Sequence, residues 1–139
     1  MSIYSLLWPV HAVLMGVSFL GMLGASLIAR YGKKKRWWFP VHKGINIGSA
    51  SGVAAAIGIA AVMISLTHGY HLSNLHAITG LITFMLIILT PVQGFGIRSE
   101  KVKPEIKKKL RIAHRWSGRI TLLLMAVTIY FGLTLAGIV

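Results

Sequence analysis

Four histidines, His11, His42, His76 and His114, each stand near the head of an apolar stretch. Imidazole is the commonest metal ligand among side chains, and an ionisable group inside an apolar span is a functional candidate by default. The chain has 2 Asp+Glu in all, Glu100 and Glu105, and neither lies in an apolar stretch. Hard-cation chelation and carboxylate proton relays therefore lack their usual groups. With Cys 0, disulfides, Cys-ligated Fe–S clusters, thiolate zinc sites and thioether-attached c-type haem are excluded. Three uses remain for the four imidazoles: axial ligation of a non-covalent haem, hydrogen bonding between helices, or a histidine-based metal-ion or proton path.

The elements that must hold these residues follow from hydropathy and charge. Of 139 residues, 55% are hydrophobic and 12% charged, with a mean hydropathy of +0.74, too apolar for an ordinary soluble domain. All the charges, 15 Lys+Arg and 2 Asp+Glu, fall within residues 30–43 and 98–119. A net charge of +13 gathered in two blocks is a membrane pattern, not a nucleic-acid surface. Spanning a hydrocarbon core of roughly 30 Å takes about 20 apolar residues, and stretches 6–29, 40–66, 73–97 and 110–137 qualify. The expected fold is all-α: an integral membrane four-helix up-down bundle, one domain over 1–139, with no cleaved signal peptide. The links after the first and third spans hold nearly all the Lys and Arg, so the positive-inside rule puts them in the cytoplasm and both termini on the non-cytoplasmic side. Trp8, Trp37, Trp38, Trp116, Tyr4, Tyr31 and Tyr70 read as interfacial anchors. In segment 99–109, Pro104 is placed to begin a helix with Glu105 in its first turn, either a solvated extension of the fourth span or a basic surface for an anionic partner or lipid headgroups.

Depth pairs the histidines. The first and third spans run one way and the second and fourth the other, so His11 shares a level with His76, and His42 shares one with His114. In an up-down ring these are diagonal helices. Diagonal ligands at matched depth are the geometry of bis-histidine haem, and the helical rise puts the two levels roughly 20–24 Å apart. Gly16, Gly44, Gly48, Gly80, Gly94 and Gly118 fall near those levels and would let a planar ring approach, or simply pack helices. Pro9 and Pro40, in WPVH at 8–11 and FPVH at 39–42, read as helix starts with a histidine in the first turn. Lys43, Arg115 and Arg119 flank the inner pair and can neutralise haem propionates, although topology alone also explains them. His68 and His71 read as ordinary residues of the outer link.

HAVLMGVSFLGMLGASLIAR at 11–30, NLHAITGLITFMLIILTPVQGFG at 74–96 and HRWSGRITLLLMAVTIYFGL at 114–133 resemble the first, third and fourth core helices of the cytochrome b561 family; FPVHKGINIG fits the second more loosely. The resemblance implies a transmembrane electron carrier with two b haems, His11 paired with His76 and His42 with His114. It covers nearly the whole chain, without the flanking helices or DOMON domain of some relatives. ASLIARYGKKKR resembles a cytoplasmic stretch linked to ascorbate in that family, matching at Arg30, while NLHAI keeps only the Leu-His of the family's SLHSW pattern. Small bacterial four-helix members suggest quinol or a redox subunit as donor.

The expectation is therefore electron transfer through two non-covalent b haems, as an electron carrier or a transmembrane oxidoreductase in the cytoplasmic membrane of a prokaryote. Expected partners are membrane lipid, a small-molecule reductant or redox protein, and a second copy or larger redox complex, with no nucleic acid. The rivals are a haem-free membrane anchor, a mono-haem subunit and a histidine-based transporter.

Overall fold

The computed structural model describes residues 3–67 and 69–139 and, at Tyr4, the backbone alone. It contains α1 (Ile3–Tyr31), α2 (Trp38–Leu66), α3 (Leu75–Arg98) and α4 (Pro104–Leu135). All four are long and apolar enough to cross a membrane. Their outer faces carry the apolar residues that a water-soluble bundle would bury: Val13, Val17, Leu20 and Leu123 are each 63–65% exposed. Such a surface suits lipid, not water.

Local chemistry sets the ends. Asn74 accepts from the Ala77 amide at 2.9 Å and caps α3. Pro104 occupies the first turn of α4, where its missing N–H costs nothing, with Glu105 beside it. Gly137, at φ +71°, closes α4: its amide donates to Thr134 and that of Ile138 to Leu133, a Schellman stop. One start differs from expectation: Pro9 lies inside α1, which starts at Ile3, so His11 is in the third turn and not the first. The helix expected to begin at Pro104 does so, and the polar run 104–109 extends the fourth helix beyond its apolar span.

Packing is strongest within two hairpins, α1 on α2 and α3 on α4; the hairpins meet along α1 and α4 and, least, along α2 and α3. Among the described residues the backbones of the diagonal helices, α1 with α3 and α2 with α4, do not approach within 8 Å. The buried core of Met15, Met22, Val53, Ala56, Ile87 and Met125 draws on every helix.

Candidate functional site

Each histidine is braced by the other helix of its own hairpin. His11 Nδ1 donates to the Ala56 carbonyl at 2.8 Å, and His42 Nδ1 to that of Ala25 at 2.8 Å. His76 Nδ1 donates to Thr128 O at 2.9 Å and His114 Nδ1 to Thr90 O at 2.8 Å. A carbonyl only accepts, so Nδ1 is the donor in all four rings, and in the neutral imidazole the lone pair then belongs to Nε2, on the side of the ring away from the brace. Across the hairpins the rings meet in twos: His11 and His76 with centroids 6.0 Å apart and planes crossing at 79°, His42 and His114 at 6.4 Å and 74°.

One spacing governs all four helices. Seven residues after its histidine, each carries a buried hydroxyl, Ser18, Ser49, Thr83 or Thr121. Fourteen residues after it comes the brace for the opposite level: Ala25, Ala56, Thr90 or Thr128. Fourteen residues of helix rise about 21 Å, which is the separation of the two histidine levels. The hydroxyls lie midway. Ser18 and Ser49 rest against the backbones of Gly52 and Gly21 of the partner helix, while Thr83 and Thr121 donate back to Thr79 and Ser117 carbonyls at 2.7 Å.

Sequence reading missed three groups of neighbours. The braces are backbone acceptors, which no residue type advertises. Gly132 lies against the His76 ring as Gly94 does against His114. Trp38, read as an anchor, has its ring centroid 6.3 Å from that of His42. Of the other glycines singled out, Gly80 and Gly118 face the Thr128 and Thr90 methyls, and a Cβ on Gly16, Gly44 or Gly48 would meet nothing within 4 Å beyond the local backbone of its own helix. Polar side chains lie beside three of the histidines. Next to His114, Thr90 Oγ1 donates to Ser117 Oγ at 3.0 Å, which donates to Gln93 Oε1 at 2.8 Å. Asn46 Nδ2 donates to the His42 carbonyl at 2.7 Å, and the hydroxyl of Thr128, the His76 brace, lies 3.3 Å from that of Thr83.

The basic candidates fall in different places. Lys43 Nζ stands 5.6 Å from the centre of the Phe95 ring, and Arg98 Cζ stands 4.2 Å from that of Phe39. These two cation–π contacts form a reciprocal clasp across the α2–α3 seam, the least packed of the bundle, at the level of His42 and His114. Arg30 lies over Tyr31 and Arg119 over Trp116, both at the bundle surface; Arg115 is exposed. His71 and Tyr70 are exposed in the outer link, whereas His68 and the Tyr4 side chain lie outside the described residues.

The chemistry open to this arrangement is narrow. Among the described residues no group of three or more His, Asp or Glu side chains could hold a bare metal ion. Each pair offers two imidazoles not bonded to protein through Nε2, which suits a metal whose other ligands come from a planar macrocycle. Two metal–imidazole bonds of about 2.0–2.1 Å, plus about 1.1 Å from each nitrogen to its ring centre, would separate the centroids by about 6.3 Å. The observed 6.0 and 6.4 Å match that span.

A family model described as eukaryotic cytochrome b561 matches residues 10–139. No curated protein matches, and no solved structure matches.

Proposed function

The chain belongs to the cytochrome b561 family of membrane proteins, whose general activity is transmembrane electron transfer, and on that premise we propose that it carries electrons through two bis-histidine b haems. His11 and His76 would hold one haem, His42 and His114 the other. The observation that supports this reading is the set of four Nδ1–carbonyl hydrogen bonds, which in the neutral rings leave Nε2 as the free ligand atom, on four imidazoles that meet in two pairs.

When bound, each haem supplies an iron that alternates between the ferric and ferrous states. The protein supplies what surrounds it. The braces fix tautomer and ring orientation and raise the basicity of Nε2, as outer-shell partners of histidine ligands do. Met15, Met22, Ile87 and Met125 keep water from the space between the levels. A separation of about 21 Å within a hydrocarbon core of roughly 30 Å leaves each level about 4–5 Å inside its face. Both levels are thus near a donor or acceptor arriving from its own side.

The basic end, with Lys33 to Arg36 and Arg98 to Arg111, faces the cytoplasm in this reading, and both termini face outward. Lys43, Arg115 and Arg119, with Arg30 on the same side, would be the cations available to propionates there; Lys43, Arg30 and Arg119 lie on Phe95, Tyr31 and Trp116. The reductant is ascorbate, a quinol or a redox subunit. The test is haem quantification by pyridine haemochrome and iron analysis on purified protein. About two b haems per chain are expected; a colourless preparation overturns the proposal. Stopped-flow reduction by ascorbate against a quinol analogue then separates the donors.

A further inference from the structure

We propose that Gly132 and Gly94 are positioning residues, each seating one ligand imidazole directly on helix backbone and thereby fixing the rotation of that ring about its bond to iron. The inference rests on the haem reading above. A Cβ on Gly132 would stand 2.9 Å from His76 Cε1 and 3.0 Å from its Nδ1. One on Gly94 would stand 3.3 Å from His114 Cε1. Neither ring can retreat freely, because each is tied by Nδ1 to a carbonyl four residues earlier on the same partner helix, Thr128 or Thr90. Two points of support, one polar and one steric, set both where the ring lies and how it is turned.

The other hairpin is built differently at the same register. Eighteen residues after His76 and His114 come Gly94 and Gly132; eighteen after His11 and His42 come Ala29 and Ala60. Each facing pair thus joins a ring seated on glycine to a ring whose partner helix offers alanine, and the two planes cross at 79° and 74°. That crossing angle has an electronic meaning. Imidazoles in parallel planes donate to the same iron d orbital and split the set, whereas crossed planes leave two orbitals nearly degenerate. The low-spin ferric spectrum and the reduction potential both respond, since ligand orientation is one of the levers a protein holds over haem. A helix-packing role alone predicts something else: alanine in a helix interior is favoured over glycine by about 1 kcal/mol, and no spectroscopic change should follow.

The experiment uses the full-length protein with Gly132→Ala, Gly94→Ala and, as a control, Gly58→Ala, where an added methyl meets nothing within 4 Å. Haem content is measured first, then the low-temperature EPR of the ferric protein and a redox titration. Gly132→Ala is expected to move the EPR signal and potential of one haem, or release that haem, and leave the other as in the wild type. Gly94→Ala is expected to move the other haem, by less, because its contact is looser, and its milder crowding keeps the test open if Gly132→Ala does not accumulate. Gly58→Ala should change neither. Wild-type signals and potentials in both glycine variants, or the same haem moving in both, would overturn the proposal. A wild-type protein without haem would instead overturn the function proposed above, so the two failures are distinguishable.

Discussion

The Nδ1 of His42 donates to the carbonyl of Ala25 at 2.8 Å, and Ala25 stands fourteen residues after His11 on the same face of α1. One helix thus presents an imidazole at one level and the support for its neighbour's imidazole at the other. The same reciprocity joins α3 and α4 through Thr90 and Thr128.

Because each level draws its two rings from different hairpins, the levels should fail independently. His42→Ala or His114→Ala is expected to lower haem content from about two to about one per chain, and His11→Ala or His76→Ala to remove the complementary one. Haemochrome assays and difference spectra check this; loss of both haems from any single replacement would contradict it.

The hydroxyls midway between the levels predict a repairable clash. A methyl on Gly21 would overlap the Ser49 hydroxyl, and one on Gly52 would come within 2.5 Å of Ser18 Oγ. Gly21→Ala should cost about 1–3 kcal/mol of stability through overpacking. Adding Ser49→Ala should recover most of that, a coupling readable from a double-mutant cycle on thermal unfolding in detergent.

The clasp across α2 and α3 should be measurable in the same way. Phe39→Leu and Arg98→Gln each remove one contact of 4.2 Å, and their coupling energy is expected near 0.5–1 kcal/mol, about the range of partly exposed cation–π pairs. Additive effects would mean that the seam is held by other contacts.

Ser117 links Thr90 to Gln93 and is buried. Ser117→Ala takes the donor from Gln93 Oε1, while Thr90 Oγ1 keeps the Leu86 carbonyl, at a cost of about 1 kcal/mol or more. Its effect should fall on the His114 level. A redox titration showing the His11–His76 haem unchanged, with the other shifted, is the expected outcome.

Much of this was legible before any coordinates. Apolar stretches headed by His11, His42, His76 and His114 gave four helices, and the alternation of helix direction gave two levels. What hid was of two kinds. The residues that orient the rings act through carbonyl oxygens, so Ala25 and Ala56 look like filler, and Gly132 belongs to no motif. Their signal was spacing, a buried hydroxyl at seven, a brace at fourteen and a small residue at eighteen, which shows only when all four helices are aligned on their histidines. The other kind was helix continuation through Pro9: α1 starts at Ile3, ahead of the proline read as its first turn, because a proline near a helix N-terminus need not be its start.

Bracing confined to each hairpin also bears on biogenesis. A growing chain that has delivered only α1 and α2 to the bilayer has on hand every residue of the His11 and His42 braces, Ala56 and Ala25, and so could set both imidazoles before anything stands opposite them. The arrival of α3 and α4 completes two half-sites in one docking event, so the cofactor would act as a rivet between prefabricated halves, and cells starved of it would accumulate paired hairpins that have not closed on one another.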